Sequence, residues 1–145
     1  MNSNNGTRRK YDWVKGYKNG FSKVILNGKY GFINENGEEV VPPKYDHVWN
    51  FENGFARVIL NGKCGFINER GEEITPIKYD WVIDFCNGFA AVKLNDKFGF
   101  INEKGEEITL IKYDDVWDFR NGSAMVKLNY RIIFINEKGE EVEWH

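Results

Sequence analysis

Residues that carry covalent or catalytic chemistry are scarce in this sequence, which has only two cysteines, two histidines and three prolines. Small folds that depend on disulfides carry more cysteines, so Cys64 and Cys86 are predicted to be thiols in a reducing cytoplasm. No segment approaches the ~20 apolar residues of a membrane-spanning helix. No apolar stretch follows a charge near Met1, so we expect neither a membrane partner nor a secretory signal.

The sequence also lacks an excess of either charge. It has 20 basic and 22 acidic side chains, and the formal net charge is −2. We therefore expect no nucleic-acid partner, because no strong positive field would attract a phosphate backbone. Residues 1–43 carry +3 and residues 44–145 carry −5. We interpret this shallow gradient as a mixed, solvated surface.

Motifs that mark enzymes and cofactor sites are missing as well. There is no HExxH, paired CxxC, Walker loop or Gly-x-Ser-x-Gly segment. His47 and Cys64 would suit a thiolate pair, but nothing in the sequence orients them. Acidic turns such as residues 34–39 are too short to surround a calcium ion alone, and their glutamates are predicted to be solvated. We expect no enzymatic activity, no metal and no cofactor.

Glycine and aromatic residues, by contrast, are abundant and belong to an internal repeat. The 15 glycines and 23 aromatics recur in one register, and the tripeptide Lys-Tyr-Asp returns every 34 residues. Residues 1–9 are predicted to be a disordered polar tail, followed by a single repeat domain over residues 10–145. Its four repeats are residues 10–43, 44–77, 78–111 and 112–145.

Each repeat is predicted to form three strands behind a short extended segment. In repeat two, Phe55–Leu60 alternates, with Ala56, Val58 and Leu60 facing inward and a variable, solvated face opposite. Asn61-Gly62 predicts a type I′ hairpin turn into the second strand, residues 64–68. Residues 68–72 predict a turn with a left-handed glycine before the third strand, residues 72–77. The aspartate of each Lys-Tyr-Asp is predicted to cap nearby backbone N–H groups in an Asx-type turn.

These patterns predict an all-β fold of tandem antiparallel β-meander repeats, since no segment shows helical periodicity. One such repeat is too small to bury its own core, so we expect neighbours to stack as an open solenoid-like array. The atypical last repeat, with Ser123 in place of Phe, suits a cap at the end of such an array. The alternative is a closed four-unit propeller-like ring.

The order of these elements resembles the WG repeat family. An aromatic-Gly strand, Asn-x-x-Gly-Glu, Tyr-Asp-x-Val and Phe-x-Asn-Gly-Phe-Ala-x-Val follow one another across residues 10–145. The signature dipeptide stands as Tyr30-Gly31, Cys64-Gly65 and Phe98-Gly99, and is replaced by Ile132-Ile133 in the last repeat. The resemblance implies a bacterial, β-rich interaction module, and it brings no catalytic residue or cofactor.

Two places of the repeat vary while their surroundings stay constant. If the segment after Lys-Tyr-Asp is extended, its fourth and sixth places share one face, opposite an invariant valine. Every repeat has one tryptophan on that face, and tryptophan is a frequent interface anchor. We call this candidate partner-binding set the variable surface: Trp13, Lys15, His47, Trp49, Trp81, Ile83, Asp115 and Trp117. The same tryptophans could instead fill gaps between repeats.

These features predict a non-enzymatic, cytoplasmic protein-interaction module that binds another protein. A small inhibitor covering the active site of its partner is one form that this module could take. The alternative is a glycan- or cell-wall-binding, lectin-like repeat protein that stacks sugars on its tryptophans. Loose similarity to choline-binding modules, which grip wall polymers with aromatic hairpins, motivates that alternative. The sequence predicts no oligomeric state.

Overall fold

The computed structural model describes residues 10–142. The predicted tail, residues 1–9, and the terminal Trp144 and His145 lie outside the described residues. The chain divides into two compact units, an N-terminal unit of residues 1–77 and a C-terminal unit of residues 78–145. Each unit contains two of the 34-residue repeats. The single repeat domain and the open stacking of all four repeats stay predictions.

All the named elements between residues 10 and 142 are β-strands, each of two to seven residues. In chain order they are β1 (Trp13–Lys18), β2 (Phe21–Leu26), β3 (Lys29–Asn34), β4 (Glu39–Tyr45), β5 (His47–Val48), β6 (Phe55–Leu60), β7 (Lys63–Asn68), β8 (Trp81–Val82), β9 (Phe89–Leu94), β10 (Lys97–Asn102), β11 (Asp115–Val116), β12 (Ser123–Leu128), β13 (Arg131–Asn136) and β14 (Glu141–Val142). They form four sheets, one per repeat, in the orders β1-β2-β3-β4, β5-β6-β7, β10-β9-β8 and β11-β12-β13-β14. Every pairing is antiparallel, which confirms the predicted all-β meander repeats.

The third predicted strand is complete only in repeat one. There β4 runs seven residues and continues into Tyr45, so the last strand of one repeat includes the first residues of the next. In repeats two and three it shrinks to isolated bridges, such as Ile67 with Glu73. In repeat four it is the two-residue β14. The prediction of a strand over residues 72–77 is therefore wrong, because only one residue of that segment is in register with β7.

Two tight turns per repeat set the hairpins. Asn61 and Gly62 have φ of 53° and 79°, which confirms the predicted type I′ turn. The same turn forms at Asn129 and Tyr130, where Tyr130 takes a φ of 68° and is 94% exposed. Each repeat has a second Asn-Gly pair in which both φ angles are positive. In repeat two this pair is Asn53-Gly54, which directly precedes β6. Eight asparagines in all adopt this conformation: Asn19, Asn27, Asn53, Asn61, Asn87, Asn95, Asn121 and Asn129.

The Asn-x-x-Gly-Glu turn also forms as predicted. In repeat one, Asn34 Oδ1 accepts hydrogen bonds from the backbone N–H groups of Asn36 at 3.0 Å and Glu38 at 2.9 Å. Asn34 Nδ2 donates to the carboxylate of Glu38 at 2.9 Å, and Gly37 has a φ of 79°. Glu38, the glutamate that closes the turn, is thus bonded to the turn itself. All four repeats contain this network.

The core of each unit is built from both of its repeats. Inward-facing Val24, Ala56 and Val58 are fully buried, which confirms the predicted face. The central cluster of the N-terminal unit is Phe32, Val41, Tyr45, Val48, Phe51, Ala56, Val58 and Ile67. The cluster of the C-terminal unit is Ala91, Phe100, Tyr113, Phe119, Ala124, Val126 and Ile135.

An aromatic contact joins successive repeats within each unit. Phe51, at the eighth place of repeat two, packs on Phe21 and Phe32 of repeat one, with ring centroids 4.4 and 4.7 Å away. Asn19 Nδ2 donates to the backbone carbonyl of Phe51 at 2.7 Å. In the C-terminal unit Phe119 packs on Phe89 and Phe100, with ring centroids 4.2 and 4.9 Å away. Asn87 Nδ2 donates to the backbone carbonyl of Phe119 at 2.6 Å. We call this arrangement the aromatic junction.

A lysine, a tyrosine and a glutamate form the same contact in every repeat, which we call the carboxylate clamp. In repeat three, the hydroxyl of Tyr79 donates to Glu107 Oε2 at 2.6 Å, and Lys78 Nζ lies 3.1 Å from the same oxygen. Tyr79 is only 1% exposed, so Glu107 supplies the acceptor that its hydroxyl needs. The glutamate that directly follows the turn is therefore structural as well as partly exposed. The other clamps are Lys10–Tyr11–Glu39, Lys44–Tyr45–Glu73 and Lys112–Tyr113–Glu141.

The repeated aspartate caps a turn, but not the one beside it. Asp46 Oδ2 accepts a hydrogen bond at 2.7 Å from the backbone N–H of Asn61, 15 residues later in the type I′ turn. Its other oxygen pairs with Lys29 of the preceding repeat. Asp114 makes the same two contacts, with Asn129 and Lys97. The Asx-type turn was thus a wrong prediction, because the short side chain reaches across to the neighbouring strand.

In repeats three and four the clamp shifts the pKa of its tyrosine upward and the pKa of its glutamate downward. Burial raises the pKa of Tyr113 to about 12, and the hydrogen bond to Glu141 adds to the effect. Burial and Glu107 likewise raise the pKa of Tyr79. The hydrogen bond from Tyr79, aided by Lys78, lowers the pKa of Glu107. The clamp of Glu107 therefore stabilises the fold above the ordinary carboxyl pKa, and this contribution is lost as the pH falls through the lowered pKa of Glu107.

We expect Tyr79→Phe to lower the free energy of unfolding by about 2 kcal/mol at pH 7, because a hydrogen bond to a charged acceptor is lost. The deficit should narrow as the pH rises above about 10. In that range the Tyr79 hydroxyl of the wild type ionises on unfolding, which favours its unfolded state, whereas the variant has no hydroxyl there to ionise. Urea unfolding at pH 7 and at alkaline pH measures both effects. Tyr130→Phe, at the highly exposed turn tyrosine, is the matched control and should change little. A deficit that stays constant with pH would contradict the clamp.

Candidate functional site

The variable surface lies on the outer strand of each sheet. In repeats two and three, His47 pairs with Ile59 and Trp81 with Lys93, while the following Val48 and Val82 are buried. Extended pairing reaches the sixth place, where the N–H of Trp49 donates to the carbonyl of Arg57 at 3.0 Å. The fourth and sixth places therefore share a face, and the valine points the other way. Val14 is the exception, because it is 38% exposed in the first strand.

In repeat one the surface is open. All six residues of β1 are exposed, and Trp13 is 59% exposed. Lys15 Nζ lies 5.8 Å from the centroid of the Trp13 ring, within cation–π range. The two predicted residues Trp13 and Lys15 thus form one exposed aromatic–cation pair.

In repeat two the surface is a packed aromatic ladder. The His47 ring lies 5.2 Å from that of Tyr30 and 4.7 Å from that of Trp49, edge to face with both. The guanidinium of Arg57 lies 4.7 Å from the centroid of the Trp49 ring. His47 and Trp49 are only half-exposed, so they contribute to packing within the N-terminal unit as well as to its surface.

Positive charge surrounds this ladder. Burial lowers the pKa of His47, and the nearby charges of Lys23 and Lys15 lower it further. His47 is therefore neutral at pH 7, and its ring serves as an aromatic edge. Two lysines and Arg57 supply the local positive charge.

In the C-terminal unit the remaining members are exposed. Trp81, Ile83 and Trp117 are 41%, 39% and 42% exposed, and Asp115 is exposed as well. Trp117 borders a groove of about 390 Å³, whose other walls are Asp118, Arg120, Ser123, Met125 and Phe134. Here the surface combines apolar side chains with an acidic one, in contrast to the basic N-terminal unit.

The variable surface is chemically mixed. Its members are aromatic, aliphatic and cationic side chains, with Asp115 the one carboxylate. Within residues 10–142, no group of three His, Cys, Asp or Glu side chains is placed to hold a metal ion. In that same stretch no helix is long and apolar enough to cross a membrane. Neither of the two cysteines, Cys64 and Cys86, forms a disulfide.

The structure adds residues that sequence reasoning left out. The face opposite the inward one was predicted to be solvated, but its Ala91 is buried and its Arg57 stacks on Trp49. Tyr30 reaches His47 because β5 follows directly on β4, which pairs with β3. The contact of Arg57 with Trp49 could have been predicted from cross-strand register. The two-residue turn at Asn53-Gly54 joins their segments, and such a turn determines which residues of the two strands lie opposite each other. Contacts between repeats carry no such local signal.

The fold and surface define a tandem β-repeat protein with an exposed tryptophan in three of its four repeats. Comparison with known families places four consecutive matches to the WG containing repeat, at residues 9–30, 30–64, 65–98 and 98–131. These matches cover most of the chain, so the protein belongs to the WG repeat family. The resemblance stated from the sequence is thereby confirmed. Among curated proteins, none matches this chain.

Solved structures offer only distant likenesses. Kluyveromyces lactis Hsv2p is 17% identical over 91% of this chain and 50% of its own, with a TM-score of 0.45. A variant of it with loop 6CD replaced by a Gly-Ser linker is 15% identical over 88% and 50%, at 0.47. The present chain thus spans about half the length of these proteins. A plant lectin with two metal binding sites from Cicer arietinum is 10% identical over 92% of each chain, at 0.32. These scores are too low to transfer a fold or a function.

The signature glycine of the family has a steric cause here. A Cβ on Gly31 would lie 2.2 Å from the carbonyl oxygen of Val41, because β4 bulges over this point of β3. Gly65 and Gly99 face mainly side chains, at 2.9 Å. Ile133 replaces this glycine in the last repeat, and the segment that would cover it there lies outside the described residues.

The tryptophans should differ in their contribution to stability. We expect Trp13→Ala and Trp117→Ala to change the free energy of unfolding by less than about 0.5 kcal/mol, because both rings are exposed. Trp49→Ala should cost about 2 kcal/mol, since it removes the packing of His47 and Arg57. Urea unfolding monitored by far-ultraviolet circular dichroism measures all three. Equal large losses would show that the exposed tryptophans are core residues.

Proposed function

We propose that this chain is a non-enzymatic binding module whose variable surface recognises another protein. The observation that carries the proposal is the set of large apolar side chains left exposed at Trp13, Trp81, Ile83 and Trp117, although the intervening valine is buried in repeats two and three. Burying a tryptophan against a partner gains much contact area at a small cost in side-chain entropy. Leaving it in water gains nothing for the fold.

The pattern of variation between repeats supports the same proposal. The clamp, the turns and the inward valines recur in each repeat, whereas the fourth and sixth places change. A framework that keeps its shape while two places differ can present a different contact in each repeat. This is typical of repeat proteins that bind other proteins along an extended surface. The proposal includes a cytoplasmic, bacterial setting, and an inhibitor of a partner enzyme is one form of it.

A glycan is the second candidate, because exposed tryptophan rings are also stacking platforms for sugars. The local charge favours a protein partner over a sugar. Lys15, Lys23 and Arg57 give the N-terminal part of the surface a positive charge that a neutral glycan would not use.

Capture from native lysate, followed by mass spectrometry, tests the proposal with a double variant. Trp13→Ser with Trp117→Ser should reduce capture of a specific protein about tenfold or more, as loss of an interface anchor does. Leu110→Ser is the matched control, because Leu110 is 74% exposed but outside the variable surface. It should capture as the wild type does.

The contradicting results are equally specific. Capture that survives the double variant, or falls equally in Leu110→Ser, would remove the variable surface from recognition. Retention on a glycan array that the double variant abolishes would establish the glycan alternative instead. Thermal unfolding of all variants shows whether a loss of capture reflects a loss of fold.

A further inference from the structure

Three lysines of repeat one form a group of like charge, which we call the basic cluster: Lys15, Lys18 and Lys23. Lys15 and Lys18 lie on β1, and Lys23 is the residue of β2 that lies opposite a bulge in β1, between Val14 and Tyr17. Burial lowers the pKa of Lys23, and the charges of Lys15 and Lys18 lower it further. The three ammonium groups are therefore close enough to repel one another.

The fold supplies a counter-charge to only one member of the basic cluster. Lys18 Nζ lies 3.8 Å from Glu52 Oε1, and both side chains are exposed. Within residues 10–142, neither Lys15 nor Lys23 forms an ion pair with a carboxylate. Lys23 is only half-exposed, so water solvates its charge less well than that of Lys15.

The framework of the repeat does not require these charges. At the sixth, ninth and fourteenth places, where repeat one has the basic cluster, repeat three has Ile83, Cys86 and Ala91. Repeat three forms the same hairpin, with β9 and β10 paired along their whole length. Ala91 is buried, so the place of Lys23 accepts an apolar side chain. The fold therefore tolerates the basic cluster and gains nothing from its charge.

The basic cluster borders exposed aromatic rings of the N-terminal unit. Lys15 Nζ lies 5.8 Å from the centroid of the Trp13 ring. Burial lowers the pKa of His47, and the charges of Lys23 and Lys15 add to this effect, so the cluster extends to the His47 ring. β1 is the outermost strand of its sheet, and all six of its residues are exposed. A segment that lies along β1 therefore meets positive charge and aromatic rings together.

We infer that the partner protein contacts the N-terminal unit through an extended acidic segment, whose carboxylates pair with Lys15 and Lys23 and whose apolar side chain packs on Trp13. This inference rests on the proposed function, because it names the chemistry of the partner at the same surface. Carboxylates placed between the lysines replace a repulsion by an attraction, and they add specificity and a faster association. The six residues of β1 span about 20 Å, which sets the length of the segment.

A protein segment suits this surface better than a nucleic acid does. The chain has a net charge of −2, and the basic cluster stands beside the carboxylate of Glu52. Binding to a phosphate backbone depends on a basic field wider than three lysines. An acidic segment needs only a local positive charge, and its remaining side chains are free to contact the exposed rings.

Selection from a library of random peptides of about 12 residues, long enough to span β1, tests the inference with the full chain as bait. The enriched peptides should be rich in Asp and Glu and should contain an aromatic or aliphatic residue. Fluorescence anisotropy then measures the affinity of the most enriched peptide, labelled with fluorescein. This affinity should fall about tenfold in the double variant Lys15→Met with Lys23→Met. It should also fall as sodium chloride rises from about 50 mM to about 500 mM, because salt screens exposed charges.

The matched control is Lys104→Met with Lys138→Met, which removes the same charge from two exposed turns of the C-terminal unit. Its affinity for the peptide should equal that of the wild type. The urea midpoint of Lys15→Met with Lys23→Met should not fall, because this variant loses a repulsion and keeps side chains of similar length. An unchanged midpoint shows that any loss of affinity does not come from a loss of fold.

Four results would overturn the inference. The first is a selection that enriches no peptides, or peptides without an excess of acidic residues. The second is a fluorescein-labelled single-stranded oligonucleotide that binds more tightly than the peptide. The third is a lysine double variant that keeps its affinity for the peptide but associates with itself, since the lysines would then protect the edge of β1 from a second copy. The fourth is a capture from native lysate that the lysine double variant retains. If Trp13→Ser with Trp117→Ser still abolishes that capture, the proposed function stands and only the acidic segment is excluded.

Discussion

The hydrogen bond between a buried tyrosine hydroxyl and a glutamate 28 residues later is the constraint on which each repeat depends. Tyr45 and Tyr79 are almost fully buried, and a buried hydroxyl without an acceptor costs free energy comparable to a lost hydrogen bond. The acceptor is the glutamate that directly follows the Asn-x-x-Gly-Glu turn. An insertion anywhere between the two would move the carboxylate away. This explains why the 34-residue spacing is kept without a single insertion.

The other repeated contacts position strands around that bond. Asp46 fixes the turn at Asn61, and the asparagine turns set the register of the hairpins. The aromatic junction then joins one repeat to the next within a unit. With backbone and core determined by these constant residues, the fourth and sixth places can differ from repeat to repeat. Trp49 is nevertheless packed, because Arg57 and His47 lie against it.

Much of this fold could be predicted from the sequence, because its signals are local. The 34-residue period, the Asn61-Gly62 turn and the alternation of Phe55–Leu60 each depend on neighbouring residues alone. The extent of the third strand could not be predicted. A segment that pairs with β7 through a single residue has the same kind of sequence as one that forms a full strand. The reach of Asp46 to Asn61 was missed for a related reason, because it depends on how a strand pairs and not on its own turn.

The variable surface was predicted as a set, and the structure differentiates its members. The alternation of side chains correctly predicted that the fourth and sixth residues of a repeat share one face. It could not show that Trp13 is exposed to solvent while Trp49 is packed. That difference arises from Arg57 on the neighbouring strand, opposite the sixth place.

The account separates a constant framework from a surface that is free to vary, and one measurement tests that separation most directly. A variant with serine at Trp13, Lys15, Ile83, Asp115 and Trp117 changes the exposed variable places and no clamp, turn or junction residue. Urea unfolding of this variant should remain cooperative, with a midpoint close to that of the wild type. A loss of cooperative unfolding would show that these places are part of the framework and would contradict the account.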